Sequence, residues 1–220
     1  PDDFYQRPQA LGLALMVIPE SLGGAGMPRS PLTNMLNAED LAQGDMALAM
    51  GALTPLSFIN AVLDNGTEEQ QENLLGRFVD DQFRVATIAL MEPGATFSPQ
   101  RFDTSAVPNG DGYLLNGVKS MVPLAGDAEL MLVIATVDDS VQGFVVTTDQ
   151  PGVTVAKEEY MGLHSLDLGR VTLDQVEVNA SARLGEAQNE FALGRLLDLG
   201  RIGISAMAVG VCQATLDYVI

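Results

Sequence analysis

The sequence predicts an α+β protein with a helical domain over residues 1–83, a β-domain over 84–186 and the start of a C-terminal helical domain over 187–220. Apolar residues recur at helical spacing in the first and last parts. Short runs of strand-forming residues, separated by Gly, Asn and Asp, fill the middle, which is typical of an antiparallel β-barrel or sandwich. A helical, then β, then helical order is unusual, so it restricts the candidate folds.

Four helices are predicted in the first part, over residues 4–15, 34–49, 54–63 and 68–78. The expected core positions of the second helix are Leu36, Leu41, Met46 and Leu48. Thr67 and Gln70 form the pattern of a capping box at the start of the fourth helix. The glycine cluster after the first helix is not a phosphate-binding loop, because no Gly-Lys-Ser/Thr sequence follows it.

Seven strands are predicted in the middle part, over residues 84–90, 105–108, 113–115, 130–136, 143–147, 153–157 and 171–178. The Asn109-Gly110-Asp111-Gly112 sequence predicts a hairpin turn. A second turn is expected at Asn116-Gly117, where it would end a short strand. The loop over residues 91–95 follows an apolar strand, and loops held on a rigid sheet commonly carry binding groups.

Two helices are predicted in the last part, over residues 187–197 and 201–220. The second is rich in small residues that permit close helix packing, and it ends within an apolar stretch at Ile220. We expect its apolar face to pack on helices outside this sequence or on another subunit. Cys212, the single cysteine, lies among small apolar residues and is expected to be buried. One cysteine excludes an internal disulfide and a cysteine-ligated zinc site within this chain.

Composition excludes several functional classes. With 47% hydrophobic and 18% charged residues, the chain is globular. No run is expected to span a membrane, and no basic, apolar leader is apparent, so a cytoplasmic location is expected. The chain has 11 Lys and Arg against 29 Asp and Glu, for a net charge of −18. This field would repel nucleic acid and anionic lipid, so neither partner is expected.

Few ionisable residues are candidates for catalysis. Glu20 and Glu92 are expected to orient loops, and His164 is expected to lie at the surface or to pack against a loop. The acidic pairs at 138–139 and 158–159 are expected to be solvated turn charges, because they lack the spacing of an oxygen-rich metal loop. We therefore predict no metal site.

The chain resembles the acyl-CoA dehydrogenase family over essentially its whole length. The matching segments lie at residues 11–12, 17–26, 66–71, 92–95, 111–117, 119, 162–163, 176–178, 184–185, 201 and 208–210. They include the Glu-Pro-Gly-Ala loop at 92–95 and the Asp-Gly-Tyr-Leu-Leu-Asn-Gly hairpin at 111–117. Each segment is a weak signal alone, but their order and spacing together are specific.

The resemblance implies a flavin-dependent oxidoreductase of fatty acid metabolism (β-oxidation), with FAD between the β-domain and the C-terminal helices and an acyl-CoA thioester as substrate. In the family a glutamate removes the α-proton while a β-hydride passes to flavin N5, and the electrons leave to an electron-transferring flavoprotein. The resemblance also implies that the subunits form homo- or hetero-oligomers. No catalytic residue can be named in this chain, because the usual glutamate lies beyond Ile220 and the isovaleryl-type position is Gly200.

The resemblance also implies the binding residues. The expected cofactor-binding set is Leu90, Met91, Glu92, Thr96, Phe97, Met121, Val122 and Pro123. The expected substrate-binding set is Phe97, Asp198 and Arg201.

Several of these positions depart from the family pattern. Met91 and Pro123 replace threonines that bond the flavin, and Met121 replaces a tryptophan that covers it. Residues 96–98 replace a Gly-Ser-Asp loop, and Leu166 replaces a serine. Three hypotheses therefore remain: an FAD-dependent acyl-CoA dehydrogenase with divergent flavin contacts, an FAD-poor, non-catalytic subunit of a heteromeric dehydrogenase, and a flavoprotein of the same fold with other chemistry, such as an oxidase.

Overall fold

The computed structural model describes residues 4–5, 12–80, 82–99, 101–186 and 189–220. Its helices are α1 (Pro31–Gly44), α2 (Met46–Asn65), α3 (Glu68–Leu75) and α4 (Leu193–Val219). Its strands are β1 (Ala86–Ala89), β2 (Ser105–Asn109), β3 (Gly112–Pro123), β4 (Leu130–Val137), β5 (Ser140–Thr147), β6 (Val153–Glu158) and β7 (Leu168–Asn179). All seven predicted strands are present, and the α+β class is confirmed.

The helix predicted over residues 4–15 is wrong from Gly12 onward. Gly12 has a φ of +71°, which interrupts a right-handed helix, and only a short 3-10 turn at Leu15–Val17 follows. Residues 6–11 of that prediction lie outside the described residues.

The helix predicted over 34–49 is in fact two helices that meet at Asp45. The backbone of Asp45 is extended, with φ −161° and ψ 118°, so α1 ends there. The Asp45 carboxylate then accepts the Leu48 N–H at 2.9 Å and caps α2. The capping box of Thr67 and Gln70 at the start of α3 is confirmed.

Alanines form the buried centre of the contact between α1 and its neighbours, and the predicted Leu41 and Met46 pack against them half-buried, whereas Leu36 is wrong as a core position. Leu36 is 53% exposed, whereas Ala38 and Ala42 are each 2% exposed. A Cβ on Gly210 of α4 would lie 2.1 Å from the Glu39 carbonyl oxygen, so the two helix backbones nearly touch. Small residues permit this approach.

The seven strands form one sheet in which β1-β4-β2-β3-β7-β6 are neighbours in turn, and β5 lies off this path and pairs with β4. Pairing is antiparallel between β2 and β3, β3 and β7, β4 and β5, and β6 and β7. The pairs β1–β4 and β2–β4 are parallel, so the sheet is mixed where we expected an antiparallel one.

The two predicted Asn-Gly turns have different outcomes. The hairpin at Asn109–Gly112 is confirmed, since these residues pair at the ends of β2 and β3. The turn predicted at Asn116-Gly117 is wrong, because β3 continues through it to Pro123 with a register shift. A Cβ on Gly117 would lie 2.5 Å from Thr104 Oγ1, so glycine permits a close contact there.

The C-terminal region forms one helix where two were predicted, and residues 187–188 of that prediction lie outside the described residues. Cys212 of α4 is exposed, so the expectation of a buried thiol is wrong for this chain. By length and composition alone, Met46–Asn65 and Leu193–Val219 could each cross a membrane, which corrects the expectation that no run is long enough. The apolar window of α2 is 67% buried, the setting of a core helix, whereas that of α4 is 17% buried.

The buried residues between the helical part and the sheet form the first core cluster. It contains Phe58, Ile59 and Val62 of α2 and Leu132 and Ile134 of β4, all fully buried. A second cluster, between the strands, contains Met131, Val133, Phe144, Val171 and Val176. The strand β4 therefore packs against the helices with one face and within the sheet with the other.

Candidate functional site

The loop after β1 lies against the middle of β3, which brings together two segments of the predicted cofactor-binding set. The Ser120 N–H donates to the Met91 carbonyl at 2.9 Å. The Lys119 ammonium donates to the Leu90 carbonyl at 3.2 Å. Leu90, Met91 and Glu92 therefore lie beside Met121, although 29 residues separate Leu90 from Lys119.

A buried ion pair holds this loop in place. The Lys119 side chain is 0% exposed, and its Nζ lies 2.8 Å from Glu92 Oε1. The same Nζ lies 4.7 Å from the centre of the Phe102 ring, a cation–π contact. Glu92 also accepts the backbone N–H groups of Asp103 at 2.7 Å and Thr104 at 2.9 Å. The prediction that Glu92 orients a loop is confirmed.

The charge state of this pair follows from burial and hydrogen bonding. Burial lowers the pKa of Lys119 to about 8, and Glu92 offsets only part of that effect. Burial alone would raise the pKa of Glu92, but the Lys119 and backbone donors outweigh it and leave that pKa below its ordinary value. A carboxylate that is held ionised by several donors is a weak proton acceptor, so Glu92 is poorly suited to be a catalytic base.

A second carboxylate, Glu158 at the end of β6, is hydrogen-bonded to the Met121 backbone. It accepts the Met121 N–H at 2.8 Å, the Ser120 hydroxyl at 2.9 Å and the Tyr160 hydroxyl at 2.9 Å. The Arg170 Nε lies 2.8 Å from its other oxygen. The Glu158 side chain is 11% exposed, so its prediction as a solvated turn charge is wrong.

The three predicted residues at the end of β3 have different orientations. Met121 is 37% exposed and lies in a β-bulge, where the pairing with β7 shifts between Lys119 and Val122. Val122 is 1% exposed and packs in the core between the strands, so any cofactor contact there would use its backbone. Pro123 is half-buried and pairs with Leu168.

Thr96 and Phe97 line a small cleft of about 210 Å³ that also has Glu92 in its wall. Phe97 is 38% exposed, and its ring centre lies 6.3 Å from that of Phe102. The cleft therefore joins Thr96 and Phe97 to the loop that Lys119 and Glu92 hold.

The predicted substrate residues on α4 are exposed and pair with each other. Arg201 Nη1 lies 3.2 Å from Asp198 Oδ1, one helical turn away. A Cβ on Gly200 would have no neighbour within 4 Å. The roles of Asp198 and Arg201 therefore stay predictions.

A larger cleft of about 540 Å³ lies between the α1–α2 junction, residues 163–165 and the end of α4. His164 is exposed in its wall, in line with the expected surface role. Within the described ranges, no three His, Cys, Asp or Glu side chains are grouped so that they could hold a metal ion.

The comparisons with known proteins identify the family. The family model "Acyl-CoA dehydrogenase, N-terminal domain" matches residues 1–82, and "Acyl-CoA dehydrogenase, middle domain" matches residues 87–176. The chain belongs to the acyl-CoA dehydrogenase family. This confirms the resemblance drawn from the motifs.

The relatives include the CarC subunit of a caffeyl-CoA reductase–Etf complex from Acetobacterium woodii, 31% identical over 100% of this chain and 59% of that protein. The human short-chain specific acyl-CoA dehydrogenase, a mitochondrial protein, is 29% identical over 94% of this chain and 52% of its own length. A solved glutaryl-CoA dehydrogenase from Mycobacterium smegmatis, in complex with FADH2, superposes with a TM-score of 0.87 at 27% identity and covers 99% of this chain and 56% of its own. The chain thus spans a little over half of these relatives.

The chemistry of the predicted cofactor-binding set shows how far it fits a flavin. Met91, Met121, Val122 and Pro123 carry no side-chain N–H or O–H, and Pro123 has no backbone N–H. The Met121 N–H is already bonded to Glu158. Thr96 supplies the one hydroxyl of the set. These residues fit the apolar face of a flavin ring, and they offer little to its polar rim.

The Glu158 cluster was missed from the sequence because no local pattern links its members. Ser120 and Glu158 are 38 residues apart, and they meet only because β3, β7 and β6 are neighbours. The one usable signal was the position of Glu158 directly after the strand predicted over 153–157.

Proposed function

We propose that this protein is a flavin-dependent oxidoreductase that dehydrogenates the α,β carbons of an acyl-CoA thioester. The observation that carries the proposal is the superposition of a glutaryl-CoA dehydrogenase, solved with FADH2, on this chain. The superposition covers 99% of the chain. The contacts of the 90–92 loop with β3 support it, because they bring Leu90, Met91 and Glu92 next to the segment of β3 that carries Met121.

FAD, when bound, would accept the hydride of the substrate. Met91 and Met121 would contact the ring face, and Thr96 would offer a hydroxyl near the cleft. The buried Lys119–Glu92 pair would hold the loop that carries Met91 and Thr96. Phe97, Asp198 and Arg201 are proposed to bind the substrate, and no catalytic base is assigned among the described residues.

The partners and organisation are part of the proposal. We propose domains over residues 1–83, 84–186 and 187–220, in line with the positions of the helices and strands. The similarity to a subunit of an Etf complex supports an electron-transferring flavoprotein as the acceptor and an oligomeric assembly. A cytoplasmic location is part of the proposal, and the human relative is a mitochondrial protein.

Anaerobic titration of the intact, FAD-loaded protein with butyryl-CoA and glutaryl-CoA tests the proposed activity. The expected result is loss of the oxidised flavin absorption with one of these thioesters and formation of the α,β-unsaturated product. A saturated carboxylic acid without CoA is the control and should leave the spectrum unchanged. If a panel of acyl-CoA thioesters of different lengths leaves the flavin oxidised, the proposed activity is wrong.

The second candidate is an FAD-poor, non-catalytic subunit of a heteromeric acyl-CoA dehydrogenase. The absence of side-chain donors at Met91, Met121 and Pro123 favours it, because the polar rim of the flavin would lose hydrogen bonds there. Purification separates the candidates. A dehydrogenase is yellow when purified alone, whereas a supporting subunit is colourless alone and co-purifies with flavin only when its partner is present.

A further inference from the structure

The backbone of Met121 is held in a conformation that a methionine rarely adopts. Its φ is +55°, in the left-handed region where a Cβ is unfavourable. The residue occupies the bulge opposite Arg170, where the register of β3 on β7 shifts. Such outliers persist only where the surrounding structure holds them, and they occur preferentially at functional sites.

The bulge removes the Met121 N–H from the pairing of β3 with β7, and a bulged residue needs another partner for that group. Glu158 supplies it, at 2.8 Å. The carboxylate crosses β7 to reach this N–H, since β6 and β3 pair with opposite edges of that strand.

The same carboxylate fixes both neighbours of the bulge. It accepts the Ser120 hydroxyl, whose side chain is itself buried, and the Arg170 Nε from β7. The Tyr160 hydroxyl closes the cluster at 2.9 Å. One acidic side chain thus joins three strands around Met121.

We propose that Glu158 is a positioning residue for the cofactor contact: it holds the Met121 bulge and thereby fixes where the Met121 side chain meets the flavin ring. The inference rests on the proposed function for the presence of the flavin. The bulge and its hydrogen bonds are independent of that function. Glu158 itself does not touch the ring in this account, and it acts through Met121.

The test compares Glu158→Ala and Glu158→Gln with Glu159→Gln in the intact protein. Glu159 is exposed and adjacent, so its substitution removes the same charge without touching the bulge. Amide hydrogen exchange, measured on peptides that contain Met121, reports the bulge without any flavin. We expect Glu158→Ala to speed exchange at Met121 about tenfold or more, Glu158→Gln to speed it less, and Glu159→Gln to leave it unchanged.

The second readout is the dissociation constant of FAD for the same variants. We expect it to rise about tenfold in Glu158→Ala and to stay unchanged in Glu159→Gln. Unchanged exchange in Glu158→Ala overturns the proposal, and so does faster exchange with unchanged FAD affinity. If the wild-type protein binds no FAD, the proposed function fails, while the exchange measurement still shows whether Glu158 holds the bulge.

Discussion

At the scale of single residues, two carboxylates near strand ends have distinct environments. Glu92 pairs with a fully buried lysine and holds a loop. Glu158 accepts hydrogen bonds from the backbone of a strand bulge and from three side chains. The role of Glu92 was predictable, because it lies in a Glu-Pro-Gly-Ala loop directly after a strand. The role of Glu158 was not, because its partners come from other strands and from a bulge that no sequence pattern marks.

Substitution of Lys119 tests the buried pair. Lys119→Met should lower the free energy of unfolding by about 3 kcal/mol, because it leaves the Glu92 carboxylate largely buried without its cation. The double variant Lys119→Met/Glu92→Gln should lose less than the single variant, since the unpaired charge is gone. Urea denaturation of the wild type and both variants measures these effects. Equal losses in the single and double variants would contradict the role of the charge pair.

Acid tests the Glu158 cluster. Burial alone would raise the pKa of Glu158, but its hydrogen bonds outweigh burial and lower that pKa from 4.5 to about 2. A lowered carboxyl pKa stabilises the fold above pH 4.5, and that stabilisation is lost as the pH falls toward 2. The difference in unfolding free energy between wild type and Glu158→Gln should therefore shrink over this range. A difference that stays constant with pH would show that the carboxylate is not preferentially ionised in the folded state.

At the scale of elements, the sequence predicted which segments form strands better than it predicted where they end. The strand β3 passes through Asn116-Gly117, a dipeptide typical of turns, because Gly117 permits close contact with Thr104. The break between α1 and α2 was missed because the apolar pattern runs on across Asp45. The same residue type can end a helix, form a turn or lie within a strand, and long-range contacts determine which of these structures forms.

Two glycines of α4 give a matched test of its packing. A Cβ at Gly210 would lie 2.1 Å from the Glu39 carbonyl oxygen, whereas one at Gly203 would have no neighbour within 4 Å. Gly210→Ala should lower the free energy of unfolding by about 1–3 kcal/mol, because α4 must move away from α1. Gly203→Ala should raise the free energy of unfolding by about 0.5–1 kcal/mol, because alanine lowers the backbone entropy of the unfolded chain. Thermal or urea unfolding checks both signs, and a stabilising Gly210→Ala would contradict the close contact.

At the scale of the whole molecule, the helical, β and helical order was predicted from the sequence because each part has its own hydrophobic period. The family was identified from motif order, and the comparisons confirm it. The parallel pairs β1–β4 and β2–β4 were not predicted, since strand order depends on contacts between segments far apart in the chain.

The exposed face of α4 predicts association of the 220-residue chain. Ile204, Val209 and Leu216 are 53%, 54% and 51% exposed, an unusual density of apolar surface on one helix. We expect this chain, produced alone, to self-associate at high concentration, and Ile204→Gln/Val209→Gln to reduce that association. Light scattering measures both. A monodisperse wild-type monomer at high concentration would show that this face tolerates water.

The most direct measurement is an FAD titration, followed by fluorescence quenching, of the intact wild-type protein and Met121→Trp/Pro123→Thr. The central claim is that this side of the β-domain offers apolar contacts and few donors to a flavin. The double substitution restores the aromatic face and the hydroxyl of the family pattern. Each regained hydrogen bond should strengthen FAD binding by roughly 0.5–1.5 kcal/mol. The expected result is weak binding by wild type and a gain of about one to two orders of magnitude in the variant. Tight wild-type binding with no gain in the variant would contradict the claim.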